Sequence, residues 1–80
     1  MTHMDIGWKT DEPATTQVEY GLTLEYGSMT PLYPDLVINH GVTLEKLLDL
    51  TNYHFRVRSK DAAGNEAISA DRVQATYYHI

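Results

Sequence analysis

The sequence predicts an all-β domain, and three observations carry that expectation. Asn52 to Lys60 alternates without interruption, with Tyr53, Phe55, Val57 and Ser59 on one side and His54, Arg56, Arg58 and Lys60 on the other. A period of two is the signature of a strand with one face on a core and one in water. Turn-forming residues separate several short extended runs, the spacing expected of a sandwich or barrel. No segment is long and amphipathic enough for a domain-scale helix. The 80 residues make one domain over 1–80, with Met1–Met4 read as a short extension in front of it. A chain of this size buries only about 60% of its unfolded surface, so every large apolar residue counts.

Each element has its own justification. Asp5 to Thr10 reads as a first strand, with Ile6 and Trp8 facing one way and Gly7 and Lys9 the other. Asp11, Glu12 and Pro13 are expected to end it, because proline lacks a ladder donor and fixes its own φ. Thr15 to Tyr20 is the second strand, with Val18 and Tyr20 inward and Gln17 and Glu19 outward. Gly21 breaks that run, and Leu22 to Tyr26 is a candidate short continuation. Met29 to Asp35, with two prolines, reads as a loop at a sheet edge. Leu36 to Leu44 resumes an extended pattern, in which Gly41 is a candidate bulge. Glu45 to Leu50 contains good helix formers but is too short to stand as a helix. It is read as a strand end and a tight turn that drops Leu47 and Leu50 into the core. The Asp61–Asn65 turn then leads from the Asn52–Lys60 strand to a last one, from about Ala67 to Tyr77. The expected core is Trp8, Val18, Tyr20, Leu44, Leu47, Leu50, Tyr53, Phe55 and Val57.

Composition narrows the function. Six Lys/Arg against eleven Asp/Glu give a formal charge of −5, a poor basis for wrapping a phosphate backbone. Without cysteine there is neither a disulfide framework nor a thiolate metal site. No run approaches the ~20 apolar residues of a membrane-spanning helix. The amino end has neither the basic start nor the apolar run of a secretory leader.

Taken in order, Ile6-Gly7-Trp8-Lys9-Thr10, Gln17-Val18-Glu19-Tyr20-Gly21, His40-Gly41-Val42-Thr43-Leu44, Tyr53-His54-Phe55-Arg56-Val57 and Asp61-Ala62-Ala63-Gly64-Asn65 form an ordered set. On these residues the chain, from Asp5 to Thr76, resembles the fibronectin type III superfamily of bacterial multidomain surface and secreted proteins. The resemblance implies a Greek-key, immunoglobulin-like β-sandwich in which Tyr53 is a tyrosine corner, its hydroxyl bonding backbone near Leu50. It also implies that Phe55 stands where disulfide-linked immunoglobulin domains place a cysteine, and that Phe55 pairs with Trp8 across the sheets. Family members normally begin with one more strand, beside the Trp8 strand, and only Met1–Met4 precede Asp5. The Trp8 strand is therefore expected to be a free sheet edge, covered by a second copy in a homodimer or by the carboxyl tail Tyr77–Ile80.

Few residues invite chemistry. His3, His40, His54 and His79 lack metal-ligand spacing and read as surface histidines. Asp11-Glu12 reads as a solvated turn, with no apolar pocket to raise a carboxyl pKa. No nucleophile motif and no phosphate loop is present, so neither catalytic residues nor a cofactor are expected. Arg56, Arg58 and Lys60 form an outward basic row, either a docking stripe or partners for Glu19 and Gln17 on the neighbouring strand. Tyr26 and Tyr33, in the loop up to Leu36, are the other candidate interaction surface. The resemblance implies a non-catalytic spacer or interaction module of a larger extracellular or envelope protein, its partners the neighbouring domains of that chain. The alternative is an accessory domain of a secreted hydrolase, binding polysaccharide or a protein through the Tyr26–Leu36 loop.

Overall fold

A computed structural model describes residues 1–76. The described residues are all-β, with six strands in antiparallel pairing: β1 Thr2–Gly21, β2 Gly27–Met29, β3 Tyr33–Leu47, β4 Asn52–Lys60, β5 Glu66–Ile68 and β6 Arg72–Ala75. Its organising feature is that β1 changes partners along its length. The first part, from Thr2 to Thr16, pairs with β3, and Gln17 to Gly21 lies between β2 and β4. β5 and β6 continue the sheet beyond β4. The result is a curled antiparallel sheet with two arms, β1–β3 and β2–β1–β4–β5/β6.

The two strands expected on either side of Pro13 are thus one. The physical reason lies in the register. Lys9 pairs with Asn39 and Ala14 with Val37, so Thr10 to Pro13 stand against Ile38 alone. Pro13 falls in this irregular stretch, where the ladder asks no donor of it, so the chain bends without a loop. The four residues read as an extension also belong to β1. Thr2 pairs with Leu47, Met4 pairs with Leu44, and Met4 is in the core.

Both arms close on one core of Met4, Ile6, Val18, Val42, Leu44, Leu47 and Tyr53, with Trp8, Tyr20, Phe55 and Val57 half-buried against it. Val18 is fully enclosed, and Leu44 and Leu47 are each 2% exposed. Leu44 and Leu47 are three apart, an odd offset that regular alternation would send to opposite faces. A bulge reconciles them, because Glu45 and Lys46 oppose His3 alone and Lys46 has φ 59°. The expected bulge at Gly41 is absent: Gly41 pairs in register with Gly7.

Leu50 is not in the core. It is 71% exposed with φ 50°, at the tip of the turn between β3 and β4, and the turn geometry aims its side chain at water. Tyr53, by contrast, is buried, and the Leu48 N–H donates to its hydroxyl at 2.9 Å. The corner therefore closes on Leu48, two residues before the expected position. Thr76 ties down the same turn, accepting from Thr51 N–H at 2.9 Å while its hydroxyl donates to the Leu48 carbonyl.

Leu22 to Tyr26 forms a turn, with Tyr26 N–H donating to the Thr23 carbonyl at 3.0 Å. The turn folds so closely over Gly21 that a Cβ there would lie 1.4 Å from the Tyr26 carbonyl oxygen. The expected last strand is divided into β5 and β6. Between the pairs Arg58–Ile68 and Phe55–Arg72, three residues (69–71) face two on β4. Ser69 carries the ladder across this bulge: its N–H donates to the Val57 carbonyl and its hydroxyl accepts from Val57 N–H, both at 3.0 Å. Tyr77, the expected end of that strand, and the tail Tyr77–Ile80 lie outside the described residues.

Urea denaturation checks these placements. Tyr53→Phe leaves the Leu48 N–H without its acceptor and is expected to cost about 1–3 kcal/mol. Leu44→Ala should cost about 2–5 kcal/mol, and Leu50→Gly, which relieves a left-handed residue in water, should be neutral or stabilising.

Candidate functional site

The outward face of β4 carries a connected polar network. Glu19 on β1 stands opposite Arg56, with Arg58 two residues along the same face. Its Oε1 accepts from Arg56 Nε at 3.0 Å and from Arg58 Nη1 at 2.6 Å, and its Oε2 accepts from Arg56 Nη2 at 3.3 Å. Arg58 also reaches Glu66 Oε1 at 3.0 Å. These hydrogen bonds hold the Glu19 and Glu66 carboxyls below the usual range, Glu19 chiefly through Arg56 and Glu66 chiefly through Arg58. Of the basic row, Arg56 and Arg58 are thus engaged by Glu19, as the pairing alternative expected. Lys60 is exposed and registers with Glu66.

The network continues through the bulge between β5 and β6, which brings Asp71 over the face. His54 Nδ1 lies 2.9 Å from Asp71 Oδ2, and the Tyr26 hydroxyl donates to Asp71 Oδ1 at 2.9 Å. The Arg56 guanidinium sits 4.9 Å from the Tyr26 ring centre, a cation–π contact. Tyr26 is therefore tied into the network, its phenol pushed up by desolvation and the Asp71 carboxylate. Asp71 and Glu66 are the members that joined the face without being singled out in the sequence. Glu19 was legible as the cross-strand neighbour of the basic row, whereas Asp71 depends on a bulge 45 residues from Tyr26.

His40, read as a surface residue, is only 5% exposed. It pairs with Trp8 across β1 and β3, and the two rings stack with centres 4.9 Å apart and planes within 5°. Trp8 thus stacks on His40 and not on Phe55, and its Nε1 donates to Ser59 Oγ at 3.0 Å, joining the two arms. The imidazole nitrogens engage Thr10 Oγ1 at 3.0 Å and Thr16 Oγ1 at 2.6 Å, the first where the irregular stretch begins and the second beyond it. Neutral imidazole donates at one nitrogen and accepts at the other, and a hydroxyl supplies either role. His40 therefore staples the bend, and its burial lowers its pKa. His54 lies on the outer face and His3 is exposed; His79 lies outside the described residues.

Two apolar surfaces remain open. Tyr33 is 48% exposed, with Leu32, Leu36, Val37 and Ile38 similarly exposed beside it. Beside the first half of β1 runs a groove of about 950 Å³, floored by Phe55 and Val57 and bounded by Met4, Ile6 and Trp8 on one side and Arg72 on the other. Among the described residues no strand pairs with the edge of Thr2–Lys9 that faces away from β3. No helix is long and apolar enough to cross a membrane, and no group of three or more His, Cys, Asp or Glu is placed to hold a metal, among the described residues.

Comparison of the chain with protein-family models, with curated proteins and with solved structures found no match.

Two experiments test the geometry. His40 has a folded-state pKa below its unfolded value, so the stability it supports is full above about pH 6.5 and falls as pH drops below that, when the unfolded chain gains a proton first. Glu19, Asp61, Glu66 and Asp71 are also depressed, and their contribution is lost further down, below about pH 4.5. Denaturation between pH 8 and pH 3 should thus show two declines, with His40→Gln abolishing the upper one. Separately, Glu19→Ala leaves two half-buried guanidiniums facing each other and is expected to cost about 1–3 kcal/mol. A double-mutant cycle with Arg56→Ala should recover part of that loss.

Proposed function

We propose that the chain is a fibronectin type III-like module, a Greek-key β-sandwich without the first strand, acting as a non-catalytic structural spacer or interaction unit of a larger extracellular or envelope protein. The observation that carries this reading is the corner at Tyr53, whose hydroxyl accepts from backbone five residues upstream at the start of the strand that leads into the core. The split pairing of β1, with its first half beside β3 and its second half between β2 and β4, is compatible with the two facing sheets of such a fold. The polar face fits a load-free module: Glu19, Glu66 and Asp71 are held ionised by Arg56, Arg58 and His54, opposite to the raised carboxyl a general acid needs. Its partners are the neighbouring domains of the parent chain, and a second copy covers the free Trp8 edge. Net charge argues against nucleic acid.

One observation favours the second reading, an accessory domain of a secreted hydrolase that binds polysaccharide or protein. Tyr33 stands exposed among Leu32, Leu36, Val37 and Ile38, with no hydrogen bond from its hydroxyl among the described residues. Tyr26, expected to share that surface, is drawn away to Asp71 and Arg56.

Retention of the immobilised module on cell-wall polysaccharides, a glycan array and envelope extracts, with Tyr33→Ala as control, separates the two. The spacer reading expects no glycan signal that depends on Tyr33. A Tyr33-dependent signal selects the accessory reading, and substrate turnover lost on changing Glu19 or Asp71 would overturn both.

A further inference from the structure

We infer that the edge of β1 left unpaired among the described residues pairs antiparallel with the same edge of a second copy about a two-fold axis through Gly7, an inference that rests on the edge-dimer reading above. Along a strand the backbone N–H and C=O groups of successive residues point alternately to its two edges. In the first half of β1, residues of one parity are engaged by β3 and those of the other face the open side. Partners in an antiparallel pair must direct their groups toward or away from each other together. Registered residue numbers in a symmetric pair therefore sum to an even number, and the axis falls on a residue, never between two.

Charge then chooses among the axes that fall on the regular run Asp5 to Lys9. On Asp5 the axis sets Asp5 against its own copy, and on Lys9 it does the same for Lys9. On Trp8 it leaves Lys9 opposite Gly7 of the second copy and Asp5 opposite the irregular stretch, with no opposite-charge pair. On Ile6 it sets His3 against Lys9 of the second copy and leaves Asp5 opposite glycine. On Gly7 it sets Asp5 against Lys9 of the second copy, twice by symmetry. Opposite-charge pairs facing each other across strands are favourable and like pairs are not. The same axis places Ile6 against Trp8 of the second copy on the inward face, so the apolar residues meet beside the groove floored by Phe55 and Val57. Gly7, on the axis, tolerates a Cβ: the nearest atom to one would be the His40 carbonyl oxygen at 3.5 Å, an ordinary van der Waals contact.

The full chain tests this by sedimentation velocity over micromolar to millimolar concentration. The wild type is expected to show a concentration-dependent dimer. Asp5→Lys or Lys9→Asp alone places two like-charge pairs across the axis and should weaken association about tenfold or more. An equimolar mixture of the two variants should recover it, since each then meets its opposite. The chain has no cysteine, so Gly7→Cys provides a direct readout of register. Residues on the axis are about 4.5–5.5 Å apart between Cα atoms, within disulfide reach, and oxidation should cross-link the dimer at position 7. A wild type that stays monomeric throughout overturns the dimer and the axis together. A dimer indifferent to both charge reversals, with no cross-link at position 7, overturns the axis and leaves the edge-dimer reading standing.

Discussion

One strand serving two arms of the sheet is the constraint from which the rest follows. β1 must lie beside β3 for its first half and between β2 and β4 for its second, so it has to bend within a few residues. The bend sits where Thr10 to Pro13 oppose a single residue of β3. A proline in the middle of a regular ladder would forfeit a hydrogen bond; here it falls where none is asked of it. The bend is then held from inside by His40, whose two nitrogens reach Thr10 at the start of the irregular stretch and Thr16 after it. Trp8, stacked on the same imidazole, bonds to Ser59 on the far arm. A small core is thereby supplemented by a polar clasp that specifies the angle between the arms.

The same logic of local irregularity governs the other places where the chain departs from a simple meander. The bulge at Glu45–Lys46 changes the phase of β3 so that Leu44 and Leu47 both reach the interior. The bulge at 69–71 lets Ser69 take over a ladder position and swings Asp71 out over Tyr26 and His54. Each bulge costs regular pairing and gains a contact that regular pairing would have denied. On the outer face this converts a row of cations into a set of partnered groups, with Glu19 shared between two guanidiniums. Because the two guanidiniums are only half-buried, their pairing contributes order and register more than stability.

Most strands were legible in the chain, because alternation survives without knowledge of partners. Asn52–Lys60 was read at its observed limits, and Glu19 and Gln17 were named as partners for its outward basic row in one of two alternatives, of which Glu19 is the one that engages the arginines. The two long strands were read as shorter pieces, because proline and glycine mark local preference and not the pairing that overrides it. Leu50 was assigned to the core on hydrophobicity, whereas its left-handed backbone in the turn leaves it in water. His40 was assigned to the surface on polarity, whereas two threonines and an indole make its burial tolerable. Neither outcome has a signal within a few residues of the position concerned.

By itself, the sequence determined that the chain would be extended, which faces of β1 and β4 are apolar, and that the net charge would be acidic. These are properties of side-chain order and composition, and they need no partner to exist. Only the tertiary structure decided that β1 is continuous, that Trp8 meets His40 and not Phe55, and that Asp71 joins Tyr26. Those outcomes depend on register, and register is set by bulges whose cost is repaid by contacts many residues away.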